Sequence, residues 1–184
     1  MRSNKHLVSI LLMMIVIAAL YRIIPGRQPG FAPQWAMALF AGAVIKDKKW
    51  AFAFPILSML ISDLLYQVLY TCGLSDIPGF YSGQFTNYVL FAGLTAIGFF
   101  MRKVNVPNVL LFSAIVCMAY FAVSNFLVWN GGGGWFRPHT FSGLMLTFVD
   151  GLPFLQWSFI STLVFGGVLF GAWKLMMRQN VATA

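Results

Sequence analysis

Six apolar runs, separated by short polar gaps, leave this chain few ways to fold. They cover residues 7–24, 31–45, 50–70, 85–101, 109–129 and 152–177. A helix needs roughly 20 apolar residues to cross the hydrocarbon core of a bilayer, and in lipid only a helix or a closed barrel satisfies its own backbone. The runs therefore predict an all-α integral membrane fold, a six-transmembrane-helix bundle in a single domain over residues 1–184. The run at 31–45 is short and is expected as a partial or tilted helix. A short separate helix at 141–149 is expected before the last run. Charged residues make up 9% of the chain, against about 25% in a soluble domain. Residues 1–20 resemble a signal peptide, but Tyr21 and Arg22 follow in place of a small-residue cleavage site, so the segment is expected as a retained first helix.

The basic residues predict a topology. Arg2, Lys5, Lys46, Lys48, Lys49, Arg102, Lys103, Lys174 and Arg178 fall at the N-terminus, in the second and fourth connections and at the C-terminal end. Only Arg22, Arg27 and Arg137 belong to the other side. Positive charge marks cytoplasmic loops, so both termini are expected in the cytoplasm of a multi-pass protein of the inner membrane. The net charge of +8 then faces anionic lipid, not nucleic acid. On this topology the acids other than Asp47, three arginines and most amides fall in or near the outer half. That asymmetry is the main functional signal in the sequence.

The candidate binding residues follow from it: Arg22, Arg27, Asp63, Gln67, Asn87, Asn125, Trp129, Trp135, Arg137, His139 and Asp150. Asp63 lies inside the third run, and an ionisable group there faces protein or water. It is either a pocket wall that meets a ligand or cation, or the ion-pair partner of Arg22. Gln67 shares its helical face. Arg22, Arg27 and Arg137 form either a fork for a carboxylate or phosphate or contacts to lipid headgroups. Trp129 and Trp135 serve either an interfacial belt or a stacking surface for a flat ligand. Between them four glycines, residues 131–134, provide either a plain connector or the hinge of a mobile cover over residues 130–143. Asp150 suits a helix cap.

Several classes find no support. The four glycines are not followed by Gly-Lys-Ser/Thr, so they make no phosphate loop. No Gly-x-Ser-x-Gly elbow accompanies His139 and Asp150. Cys72 and Cys117 are too few and too far apart for a metal site or a disulfide framework. No catalytic residue, metal or cofactor is expected. Small residues recur at four-residue spacing in Ala38/Gly42, Ala92/Ala96 and Gly167/Gly171, which allow close helix contact inside the bundle or against a partner subunit.

The blocks PGFAPQWAMALFAGAVI, PILSMLISDLLY, SNFLVW, RPHTFSGL and GLPFL resemble a family of bacterial transport proteins of unknown function. In outline that family is similar to the substrate-binding S components of energy-coupling factor vitamin transporters. The resemblance implies six helices, an outward-facing pocket covered by the first, third and fifth connections, and a small vitamin-like or precursor substrate. It also implies a transmembrane coupling subunit and ATPases as partners. S components commonly carry an Ala-xxx-Ala pair on the first helix for docking; residues 7–24 have none, and Ala38/Gly42 is the nearest equivalent. Two other readings compete: a membrane enzyme acting on a lipid or isoprenoid headgroup with Asp63, His139 and Asp150 as acid/base groups, and an assembly subunit without a ligand.

Overall fold

The computed structural model describes residues 2–24, 26–132 and 135–182, with side chains described from Leu12 to Met177. Within them are six helices: α1 (Arg2–Arg22), α2 (Gln34–Val44), α3 (Lys48–Thr71), α4 (Gln84–Gly98), α5 (Val106–Asn130) and α6 (Phe141–Ala182). Three of them, α3, α5 and α6, are long and apolar enough to cross a membrane.

Local chemistry sets several boundaries. The Asp47 carboxylate accepts from the Lys49 amide at 2.9 Å and caps α3. The Asn105 side chain accepts from the Asn108 amide at 2.9 Å and caps α5, with a proline in its first turn. Both satisfy amides that the first helical turn leaves without partners. Pro55 and Pro153 lie inside α3 and α6 without ending either helix. Prolines are tolerated in membrane helices, where neighbouring helices re-satisfy the freed carbonyls. As a result the expected short helix at 141–149 and the last run are one helix of 42 residues.

The short second run becomes the axis of the bundle. α2 has 11 residues, nine of them buried. At 1.5 Å per residue it spans roughly 16 Å, about half the hydrocarbon thickness. It packs against α3, α4, α5 and α6. Phe40 meets the rings of Phe54 and Phe170, with centroids 6.5 and 5.2 Å away. Against α4 the approach is backbone to backbone. A Cβ on Gly42 would collide with the Thr95 carbonyl and Gly98, and a Cβ on Gly98 would meet the Leu39 carbonyl at 2.7 Å. Ala38 and Gly42 are thus consumed by internal packing, whereas Gly167 and Gly171 are exposed with open space around them.

The remaining apolar surface faces outward. Leu12, Met13, Val16 and Ile17 of α1, Leu110, Leu111 and Met118 of α5, and Val164 and Val168 of α6 are exposed. So broad an apolar surface suits lipid rather than water. At one end, the Lys48 ammonium stands over the Phe99 ring at 5.7 Å. That contact joins the second and fourth connections, where the basic residues gather. The other end carries the first, third and fifth connections and the polar side chains.

Candidate functional site

Asp63 sits in α3 and is 1% exposed. A buried carboxylate is tolerated only with partners, and Asp63 has three side chains around it. Arg22 of α1 donates Nη1 to Oδ1. Gln84 Nε2 and the Tyr88 hydroxyl, both from α4, each donate to Oδ2 at 2.7 Å. The same arginine nitrogen reaches Ser62 Oγ at 2.6 Å, and the Tyr66 hydroxyl donates to the Arg22 carbonyl at 2.7 Å. The set clamps α1, α3 and α4 together. One turn further along α3, Gln67 Oε1 accepts from the Gly79 and Phe80 amides at 3.2 and 3.3 Å. It fixes the connection between α3 and α4, where any side chain at Gly79 would collide with the α3 backbone.

A cavity of about 1100 Å³ opens beside this clamp. Helix α4 contributes Thr86, Asn87 and Leu90; α5 contributes Tyr120, Ser124 and Asn125; α6 contributes Asp150, Phe154 and Ser158. Trp35 of α2 also lines it, as do Gly30, Tyr81 and Trp135 from the first, third and fifth connections. Its polar groups are pre-positioned. Asn87 donates to the Tyr81 hydroxyl at 2.7 Å and accepts from the Tyr120 hydroxyl at 3.0 Å. Asn125 donates to the Phe121 carbonyl at 2.8 Å, and its amide lies so close to Gly151 that a Cβ there would meet Oδ1 at 2.5 Å. Trp135 is 76% exposed at the rim. Also at the rim, Arg137 holds Asp150 through two bonds, Nε to Oδ2 at 3.0 Å and Nη2 to Oδ1 at 3.1 Å. The hydrogen bond to Asp150 pushes the Arg137 pKa upward, so this guanidinium stays charged.

A smaller recess of about 160 Å³ adjoins the cavity. It shares Gly30, Trp35, Asn87 and Tyr120 with the cavity and adds Arg22, Arg27 and Gln34. The rings of Trp35, Phe91 and Tyr120 pack mutually, with centroids 5.4–5.6 Å apart; Trp35 and Tyr120 border both spaces, and Phe91 borders the recess.

The eleven candidate residues thus separate into groups. Asn87, Asn125, Trp135 and Asp150 line the cavity, and Arg22, Arg27 and Asn87 line the recess. Arg137 reaches the cavity only through Asp150. Asp63 and Gln67 are taken up by the clamp and the adjoining connection. Trp129 and His139 fasten the fifth connection: Trp129 Nε1 donates to the Pro138 carbonyl at 2.9 Å, and His139 Nε2 lies 2.9 Å from the Trp129 carbonyl, a contact in which the imidazole must donate. Of the four glycines expected as a hinge, Gly133 and Gly134 lie outside the described residues, and Gly132 adopts a φ of +67°. Sequence reasoning missed Trp35, Gln34, Gln84, Tyr88 and Tyr120. For Gln34 a signal existed, since it is the sole amide in the apolar run at 31–45. The others carry no pattern of their own; helix packing brings them together. Among the described residues no group of three His, Cys, Asp or Glu side chains could hold a metal ion.

Fold and composition define a multi-pass all-α membrane protein with an open polar-and-aromatic cavity at one end. The chain belongs to a family of unknown function, DUF6580, whose profile matches residues 2–184. Searches of curated proteins and of solved structures found no match. None of these comparisons links the chain to the S components of vitamin transporters.

Proposed function

We propose that this chain is the substrate-binding subunit of a bacterial uptake system in the inner membrane, with both termini cytoplasmic and the cavity open to the outside. One observation carries the reading: the cavity of about 1100 Å³ lies where the first, third and fifth connections meet, at the end away from the basic collar. Ligand pockets run to about 300–1,000 Å³ and combine apolar walls with a few placed polar groups. Here the walls are Trp35, Leu90 and Phe154, and the placed groups are Asn87, Asn125 and Asp150. The volume suits a small vitamin-like or precursor molecule. The sequence has no phosphate loop, so on this reading energy comes from a coupling subunit and ATPases. Such a subunit docks elsewhere than Ala38/Gly42, which is buried.

The lipid-enzyme reading receives no comparable support, because Asp63, His139 and Asp150 are each committed to separate hydrogen-bonded sets. Mass spectrometry of the gently purified chain tests the proposal. A co-purifying small molecule is expected, and Ser124→Trp, which intrudes on the cavity, should weaken its retention. Undiminished retention of that molecule by the variant, or turnover of a lipid substrate, overturns the reading.

A further inference from the structure

The recess beside the cavity gathers buried polar atoms that the protein leaves unpaired. Gln34 is 2% exposed, and neither its Oε1 nor its Nε2 has a hydrogen-bond partner. The indole Nε1 of Trp35, 7% exposed, has none, and neither has Nε of Arg27. All three residues line the same recess. Buried polar groups are nearly always satisfied, and a cluster of exceptions calls for a cause.

The charges point the same way. Two guanidinium groups border the recess. That of Arg22 is met by Asp63. Arg27 forms no ion pair among the described residues; its Nη1 donates to the Phe31 carbonyl at 2.7 Å. One uncompensated cation thus stands with an indole N–H and a carboxamide. Water would satisfy the hydrogen bonds but not the charge. An oxyanion satisfies both, since a guanidinium edge matches the paired oxygens of a carboxylate or phosphate. The remaining acceptor, Gln34 Oε1, fits a donor next to that oxyanion. Gly30, Trp35, Asn87 and Tyr120 border both spaces, so one molecule can occupy the cavity with its body and the recess with its acidic end.

We propose that the recess is an oxyanion subsite, in which Arg27, Gln34 and Trp35 receive a carboxylate or phosphate group of the molecule held in the cavity. The inference rests on reading the cavity as a substrate pocket and adds the chemical class: an amphipathic molecule with one acidic terminus.

Thermal unfolding of the full chain in detergent, at constant ionic strength, provides the test. The probes are benzoate, its neutral counterpart benzamide, and inorganic phosphate. Saturable stabilisation by benzoate or phosphate, and none by benzamide, is expected. Arg27→Gln and Gln34→Leu should each weaken it about tenfold or more, as loss of a hydrogen bond in an ionic contact does. Gln34→Leu should also raise the midpoint of the anion-free protein, because it removes an unsatisfied amide. That opposite pair of effects distinguishes a binding role from a structural one, and it decides alone if Arg27→Gln fails to fold. Equal shifts with benzamide, no shift with either anion, or anion shifts unchanged in Gln34→Leu overturn the subsite. Nanodiscs of phosphatidylcholine with and without phosphatidylglycerol separate the sources: suppression of the benzoate shift by the anionic lipid assigns the oxyanion to a lipid headgroup, and its persistence assigns it to a soluble acid. A neutral metabolite that co-purifies and is indifferent to Gln34→Leu would end the subsite while leaving the pocket intact.

Discussion

The carboxylate of Asp63 shows how much one residue's surroundings decide its role. From the sequence, an acid within an apolar run could serve a ligand or pair with Arg22. The structure pairs it with Arg22 and adds Gln84 and Tyr88. Asp63→Leu should cost up to about 3–5 kcal/mol, because it strands a partly buried cation. The double variant Arg22→Met/Asp63→Leu should recover most of that loss, since replacing both partners of a buried pair by apolar groups is often neutral or better. Thermal unfolding of the three variants gives the comparison; a double variant no more stable than Asp63→Leu would show that the clamp does not act as a pair. Depth along the helices was enough to suggest Arg22 from sequence. Gln84 and Tyr88 were hidden, because their meeting with Asp63 depends on how α4 turns against α3.

Elements follow the hydrophobic runs closely, and they depart from them where packing overrides local preference. The sequence separates a short helix at 141–149 from the last run at 152–177, yet α6 continues through both and through Pro153. Gly151, two residues earlier, lets α6 close upon Asn125 of α5, a contact between helices that a linear pattern cannot show. The reciprocal approach of Gly42 and Gly98 yields a prediction for the α2–α4 pair. Gly42→Ala should destabilise by about 1–3 kcal/mol, the usual cost of overpacking, because backbone atoms rather than a flexible side chain stand in the way. Gly167→Ala, facing open space, should change stability little. Denaturation midpoints in detergent compare the two, and equal effects would show that the contact is looser than described.

For the whole molecule, the charge distribution was legible and a pocket at the end rich in polar groups was expected, but the walls of the cavity were not. A basic end and an end rich in amides and acids can be counted from the sequence, because lysine and arginine positions need no geometry. The cavity needs α4, α5 and α6 to splay around α2, and no run encodes that. The topology has a native reporter. Cys72 is exposed where α3 ends, on the side carrying the cavity, and Cys117 is buried. A membrane-impermeant maleimide should label intact cells, and Cys72→Ser should abolish the signal. In that cysteine-replaced background, a cysteine introduced at Lys48 should react only after permeabilisation. The reverse pattern would invert the protein in the membrane and turn the cavity toward the cytoplasm.

The brevity of α2 bears on how the chain is made. As synthesis proceeds, α2 leaves the ribosome before α3, α4, α5 and α6, the helices that enclose it. Alone it is too short to be held by lipid at both ends, and it carries the amide of Gln34 and the indole of Trp35 with nothing yet to face. Its final position is therefore set late, when the last helix arrives, and maturation should be all-or-none. Nascent chains halted after Asn130 should leave α2 open to protease or to cysteine labelling at Ala38, while full-length chains protect it. Protection already complete in the halted chain would mean that α1 to α5 suffice to lodge α2.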